Sequence, residues 1–314
     1  MLKALLKNDR LIILISPLIL LAGVVGKLVS GLEPLHADSI FYLAFIQSWP
    51  TWLNYILGAV FALIAGFIAN QTIQNLGVLG RISNLPNLLV VLLFFILPDR
   101  GNFFYLWVIF FLQLAVLRWV EQIPDEQKKI QLFVFNASLV IGIMLLLQSW
   151  SVLYFVLVFQ SLAAVGMVTL RRLMIGVLGL VLPFYFYASF QYITSGLLKV
   201  PSFDITLIGL LFPFDRQSLL ALVFVAFLLL MALSSLFATS GSSTLRVRRR
   251  WMIVVSYLFI TAFIVLNSGF IDMAIFIILP SAIVFSRVLM TMKNQLLGNL
   301  YLLIFFAILF LYNT

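Results

Sequence analysis

The residues best suited to chemistry lie in two segments between predicted membrane spans, about 31–50 and about 196–216. The first stretch contains His36 and Asp38, shortly before the next apolar run begins. A carboxylate at the edge of a bilayer can accept a proton from an acceptor hydroxyl. We therefore predict that Asp38 is a general base and that His36 is a second catalytic candidate.

Charged side chains on the same predicted side of the membrane could hold a phosphate group. Arg and Lys form charge-assisted hydrogen bonds to phosphate oxygens, and a divalent cation can bridge a phosphate to carboxylates. The candidates for binding a substrate or its phosphate are Arg100, Lys199, Asp204, Asp215 and Arg216. The sequence indicates no cofactor other than such a cation.

The same residues have a second interpretation that involves no chemistry. Asp38 could be the N-cap of a short interfacial helix. A side-chain oxygen there accepts hydrogen bonds from backbone N–H groups, and its negative charge is stabilised by the helix dipole. His36 would then be an exposed interfacial residue. Arg100 and Arg216, each of which follows an aspartate, would form local turns with side chains that reach towards water. The sequence leaves both interpretations open.

Composition excludes several classes of site. The chain has no cysteine and His36 is its only histidine, so disulfides, thiolate sites and zinc sites built from several histidines are excluded. Hydrophobic residues make up 64% of the chain and charged residues 9%, which requires lipid as the solvent for most of the surface. The net charge of +9 is explained by cytoplasmic loops, so we predict no nucleic-acid partner.

The chain contains eleven apolar runs, which predict an all-α bundle of about eleven transmembrane helices. Fifteen of the nineteen Lys and Arg residues fall into every second gap, and loops rich in Lys and Arg stay cytoplasmic. We predict one integral membrane domain over 1–314 in the bacterial inner membrane, with a cytoplasmic N-terminus and a periplasmic C-terminus. The predicted spans are 11–30, 51–72, 83–98, 102–120, 130–148, 151–170, 173–195, 217–237, 251–267, 270–286 and 296–312.

Two features of this topology depend on single segments. The third span, 83–98, is the shortest, but without it the charge distribution would become seven basic residues inside and twelve outside. We therefore predict that it crosses the membrane. Arg287 is assigned to the cytoplasmic gap after span 270–286, and Trp251 is expected at the inner membrane surface, where aromatic residues are enriched.

Two motifs carry information that the overall composition does not. Asn75–Arg81 leads into Asn84–Leu93, and Arg171–Arg172 leads into Gly176–Tyr185. With the spacing of the spans, these motifs resemble an uncharacterised family of multi-pass inner-membrane proteins from Bacteroidota, which implies a membrane bundle but no particular activity. The position of Asp38 is similar in layout to that of a carboxylate in polyprenyl-phosphate-dependent membrane glycosyltransferases.

The motifs also have physical interpretations. Pro86 lies where a helix can begin, because its missing N–H costs least there. Pro183 lies inside the seventh span and is expected to kink it. Gly176 and Gly179 are three residues apart and are expected to allow close helix approach on one face.

Three functions are compatible with these features. The first is an enzyme or carrier that handles a lipid-linked glycan or lipid phosphate at the outer face. The second is a non-enzymatic subunit or scaffold of a cell-envelope assembly or secretion complex. The third is passive or facilitated transport along a polar path through Gln113, Asn136, Gln160 and Gln191. The expected partners are membrane lipids and other envelope membrane proteins.

Overall fold

The fold is that of a computed structural model, which describes several segments of the chain. They are 9–30, 50–79, 83–94, 103–124, 127–196, 216–239, 244–268, 270–291, 296 and 298–305. The regular secondary structure among them consists of helices, with no strand, which confirms the all-α prediction for this part of the chain.

Ten α-helices are numbered here in chain order. They are α1 (Asp9–Ser30), α2 (Thr51–Leu76), α3 (Leu85–Leu93), α4 (Phe103–Gln122), α5 (Ile130–Leu147), α6 (Phe155–Ala164), α7 (Leu170–Ser195), α8 (Arg216–Thr239), α9 (Leu245–Ser268) and α10 (Phe270–Thr291). Short 3-10 helices cover Gln127–Lys129 and Ser149–Tyr154, and residues 298–305 are also helical.

Three of the described helices are long and apolar enough to cross a membrane. They are Tyr55–Leu76 in α2, Ile130–Leu147 in α5 and Leu170–Ser195 in α7. Shorter apolar helices cover Ile12–Val25, Ser149–Ala164, Val223–Ser234 and Ile275–Thr291. These helices indicate membrane association, whereas the number of eleven spans, the inner membrane and the sides of the termini stay predictions.

The chain forms two compact units. Among the described residues, unit 1 contains α1, α2, α3, residues 103–110, α8, α9, α10 and residues 298–305, and unit 2 contains residues 111–122 with α5, α6 and α7. In unit 1, residues 275–289 of α10 are all buried, so this helix lies in the core of the unit. The extent of one integral membrane domain over 1–314 stays a prediction.

In unit 1, α3 packs beside α2 and runs in the opposite direction. At one end, Gln74 Nε2 donates a hydrogen bond to the Ser83 carbonyl oxygen at 3.1 Å. At the other end, the rings of Tyr55 and Phe94 lie 5.7 Å apart between centroids. From Tyr55 to Gln74, α2 rises about 28 Å, which is close to the thickness of a bilayer core. Residues 83–94 therefore lie beside α2 and run in the opposite direction, and the crossing of the membrane by the third run stays a prediction.

Within residues 83–94, the described part of the third run, the α-helix has nine residues. Gly77 adopts a left-handed conformation with φ 61° and ends α2, and Pro86 lies in the first turn of α3, as predicted. Residues 77–79, 83 and 84 are described and are not helical. The chain therefore covers the first part of its path beside α2 without helical hydrogen bonds, and other groups must satisfy its backbone.

In unit 2, α5 and α7 run parallel and pack very closely. Ser138 lies opposite Gly176, and Gly142 lies opposite Pro183, so both helices advance in the same direction. A Cβ atom on Gly179 would lie 2.7 Å from the Phe135 carbonyl oxygen, which confirms the predicted close approach. The helix is continuous through Pro183, and this residue is buried. Because α5 and α7 run in the same direction, the chain that connects them must run in the opposite direction.

That return is made by residues 149–164, which differ from the predicted sixth span. A single helix is expected over 151–170, but the structure has the 3-10 helix Ser149–Tyr154 followed by α6, which ends at Ala164. Gly166 then turns the chain with φ 67°. Hydropathy identified the apolar residues of this segment but carries no information about which backbone hydrogen bonds they form.

Candidate functional site

Most of the predicted outer-face site falls outside the described residues. Six of its seven candidates are in this group, namely His36, Asp38, Arg100, Lys199, Asp204 and Asp215. Arg216 begins α8, and its side chain also lies outside the description. Whether these residues converge on one cavity therefore stays a prediction.

Within the described residues, polar groups gather instead where α2 ends. Arg250 Nη1, from α9, donates hydrogen bonds to the carbonyl oxygens of Leu76 at 2.5 Å and Asn75 at 3.3 Å. Arg287 Nη1, from α10, donates to the carbonyl oxygen of Val78. The last carbonyls of a helix lack intrahelical donors and carry partial negative charge. We call Arg250 and Arg287 the arginine clamp, because together they bind three carbonyls near the end of α2.

Arg287 is a buried charge that sequence analysis missed. It is assigned above to a gap after residue 286, but α10 continues to Thr291 and only 4% of Arg287 is exposed. Its guanidinium Cζ lies 4.6 Å from the ring centroid of Trp251, a cation–π arrangement that favours a desolvated cation. Trp251 is therefore buried beneath this charge and is not an exposed interfacial anchor. The apolar residues 288–290, which follow Arg287, are the feature of the sequence that could have indicated a longer helix.

A second polar cluster joins α2 to the start of α3. Its three residues on α2 stand one turn apart and each faces a polar residue of the following segment. We call this cluster the amide ladder; its facing pairs are Gly66 with Asn87, Asn70 with Asn84, and Gln74 with Ser83. Such pairs hold helices together where water is excluded.

The amide ladder is also connected to α1. Asn70 Nδ2 donates to Asn84 Oδ1 at 2.7 Å, and Asn87 Nδ2 donates to Ser16 Oγ at 3.4 Å. Asn87 and Ser16 are fully buried. Gly66 allows this packing, because a Cβ there would collide with the Asn87 side chain. The cluster therefore fixes three helices of unit 1 around the non-helical residues that precede α3.

The chemistry available to these clusters is limited. Amides do not titrate, and an arginine guanidinium stays protonated, so neither cluster contains a general base. Among the side chains that the structure describes, no group of three or more His, Cys, Asp or Glu could hold a metal ion. The clamp and the ladder are suited to satisfying buried backbone, which a membrane bundle requires wherever a helix is interrupted.

The polar residues proposed for a transport path lie in unit 2. Gln113 is buried, while Asn136 and Gln160 are half-buried. Gln191 Nε2 donates to the hydroxyl of Tyr187 at 3.4 Å, one turn earlier in the same helix. The described contacts thus give Gln191 a partner within α7, and the continuous path stays a prediction.

Helix α7 exposes most of its apolar surface. Its buried residues are Gly176, Gly179 and Pro183, which form the narrow face towards α5. Near its C-terminal end the exposed residues are large and mostly aromatic, namely Tyr185, Phe186, Phe190, Tyr192 and Ile193. This surface directly precedes residues 197–215, which contain three of the candidate site residues.

Comparison with protein-family models, with curated proteins and with solved structures returned no match. The resemblance to a Bacteroidota membrane family therefore stays an expectation from the sequence.

Proposed function

We propose that this protein is a multi-pass protein of the bacterial inner membrane that handles a lipid-linked glycan or a lipid phosphate at the periplasmic face. The observation that carries the proposal is the exposed, largely aromatic end of α7, which Lys199, Asp204 and Asp215 follow in the sequence. An apolar helix face can accommodate a polyprenyl or acyl chain, and the charged residues that follow it in the sequence can accommodate its headgroup.

In this proposal, the headgroup phosphate is bound by Arg100, Lys199 and Arg216. Asp204 and Asp215 bind a divalent cation that bridges to the phosphate, because oxygen ligands suit such ions. These positions follow from the sequence, and their support is the asymmetric placement of six of the ten carboxylates on the predicted outer side.

The transfer step rests on Asp38. Its carboxylate accepts the proton of an acceptor hydroxyl, and His36 lies two residues away in the same stretch. The hydroxyl oxygen then attacks the carbon or phosphorus that bears the lipid phosphate, which leaves. A carrier without catalysis would use the same phosphate-binding residues and would not need Asp38.

The decisive experiment uses the full chain in nanodiscs with a photoreactive polyprenyl phosphate. Phe190→Ala is expected to lower labelling about fivefold, because about 1 kcal/mol of apolar contact is lost. Met174→Ala, an exposed residue at the other end of α7, is the matched control and is expected to leave labelling unchanged. Equal labelling of all three proteins would remove the lipid-binding role of this surface.

A separate measurement addresses catalysis. Asp38→Asn is expected to retain labelling while surface glycans of the native host lose the transferred sugar, since only the proton acceptor is removed. Unchanged glycans would remove the catalytic role of Asp38 and leave a carrier.

The exposed face of α7 also favours one alternative, a non-enzymatic subunit of a cell-envelope assembly or secretion complex. A protein partner would then cover the surface proposed above for a lipid chain. This alternative predicts a stable partner after gentle detergent extraction, lost in Phe186→Ala, whereas purification of the wild type as a monomer would count against it.

A further inference from the structure

Helix α9 begins with a dense positive charge. Arginines occupy four of its first six positions, namely Arg246, Arg248, Arg249 and Arg250. The macrodipole of a helix adds positive charge at the same end, so the arginine side chains and the helix dipole repel each other. The predicted inner side of the chain contains fifteen basic residues and only four carboxylates. An anionic partner from outside the chain would relieve this excess.

The arginines of α9 do not all have the same role. Arg250 belongs to the arginine clamp and is bound to backbone carbonyls of α2. Arg248 and Arg249 are exposed, and the side chain of neither has a hydrogen-bond or ion-pair partner within the part of the chain that the structure describes. The clamp therefore fixes the first turns of α9 in place, while these two guanidiniums remain accessible.

An apolar surface extends along α9 from these arginines. Met252, Phe259 and Phe263 are 48%, 47% and 48% exposed. With Arg249 they follow steps of three, seven and four residues, which places all four on one face of the helix. From Arg249 to Phe259 the helix rises about 15 Å, which is half the thickness of a bilayer core.

We propose that this face binds one anionic phospholipid of the inner leaflet. Arg248 and Arg249 hold its phosphate, because guanidinium groups match phosphate oxygens in geometry and charge. One acyl chain lies along Met252 and Phe259, towards Phe263. The proposal does not depend on the outer-face function, since none of its residues takes part in that site.

Helix α7 provides an internal comparison. It also begins with arginines followed by exposed apolar residues, including Met174 and Leu178. However, Arg172 donates to the Met167 carbonyl oxygen at 2.6 Å, and Arg171 is the exposed member of this pair. One accessible guanidinium attracts an anionic headgroup less strongly than two. The lipid site is therefore assigned to α9 and not to α7.

The test is native mass spectrometry of the full chain, released from micelles containing phosphatidylglycerol or phosphatidylcholine. The wild type is expected to retain one phosphatidylglycerol in preference to phosphatidylcholine. Arg248→Gln with Arg249→Gln is expected to lower this preference about 25-fold, or about fivefold for each cation near an anionic lipid surface. Arg171→Gln is the matched control and is expected to keep the preference.

Two further measurements distinguish a loss of lipid binding from misfolding, and a lipid ligand from a soluble anion. Arg248→Lys with Arg249→Lys keeps the charge and is expected to keep most of the preference, and the melting temperature without added lipid shows whether each variant is folded. Glycerol phosphate in millimolar excess is expected not to displace the lipid, because it lacks the acyl chain.

Three results would overturn the proposal. The first is an unchanged preference in the folded Arg248→Gln and Arg249→Gln double variant. The second is an equal loss in Arg171→Gln, which would show a general attraction to all inner arginines. The third is displacement by glycerol phosphate, which would show a soluble anion site.

Discussion

The close contact of α5 and α7 permits a prediction about single methyl groups. A Cβ on Gly179 would lie 2.7 Å from the Phe135 carbonyl oxygen, and a Cβ on Gly142 would lie 2.9 Å from Pro183 Cγ and closer still to the Leu180 carbonyl oxygen. Ordinary contacts of this kind lie at 3.4–4 Å. Because the obstructing atoms include backbone, Gly142→Ala and Gly179→Ala are expected to force the two helices apart.

The magnitude follows from two opposing effects. Overpacking against backbone costs about 3 kcal/mol, and replacing a helix-interior glycine with alanine regains about 1, so each variant is expected to lose about 2 kcal/mol. Gly176 is the matched control, since its Cβ would meet the Phe155 ring at 3.1 Å and Ser138 Oγ at 3.3 Å. These side chains can move, so Gly176→Ala is expected to change stability by about zero.

The assay is equilibrium unfolding of the three variants in mixed micelles with increasing sodium dodecyl sulfate, followed by circular dichroism. Phe135→Ala would not relieve Gly179→Ala, because the obstructing atom is its backbone oxygen. Wild-type stability in Gly142→Ala and Gly179→Ala, or a larger loss in Gly176→Ala, would refute the packing described for unit 2.

Three further predictions concern unit 1. Arg287→Met is expected to lower the free energy of unfolding by about 1–3 kcal/mol, because a buried carbonyl loses its donor; unfolding in mixed micelles measures this, and Arg287→Lys is expected to recover part of it. Gly66→Ala is expected to lower the free energy of unfolding, and to lower it less when Asn87→Ala is also present, since the colliding amide is then absent. A double-mutant cycle that shows no coupling between the two positions would contradict this. The chain has no cysteine, so Trp52→Cys and Leu245→Cys, both exposed positions, are expected to react with an impermeant maleimide from opposite sides of sealed vesicles; labelling from the same side would contradict the predicted orientation.

Hydropathy predicted the helices that are both long and apolar. The span expected over 130–148 is Ile130–Leu147, and the span expected over 173–195 is Leu170–Ser195. The runs expected over 83–98 and 151–170 have shorter or mixed helices, because apolar composition does not specify where i to i−4 hydrogen bonds begin and end. Local residues gave that information only in part, through Pro86 at the start of α3.

The polar clusters were harder to predict than the helices. Arg287 was counted among loop charges, because charged residues usually mark the ends of spans, and its position inside α10 depends on tertiary contacts with the end of α2. The amide ladder pairs residues 14 positions apart, such as Asn70 and Asn84. No periodic pattern within a single helix reveals that pairing. The outer-face candidates lie outside the described residues, so their arrangement is still predicted from the sequence alone.

The number of positive charges and their positions impose different constraints on this chain. Orientation depends on how many cations stay inside, so Arg250 and Arg248 count equally in the fifteen-to-four distribution. Packing distinguishes them, since Arg250 satisfies carbonyls that lack intrahelical donors where Gly77 ends α2. A lysine at position 250 would preserve the charge count but replace the planar guanidinium, whose Nη1 reaches both carbonyls, by a compact and strongly hydrated ammonium. Arginine at position 250 is therefore explained by the end of α2, whereas arginine at position 248 contributes to the charge count and agrees with the lipid site proposed above.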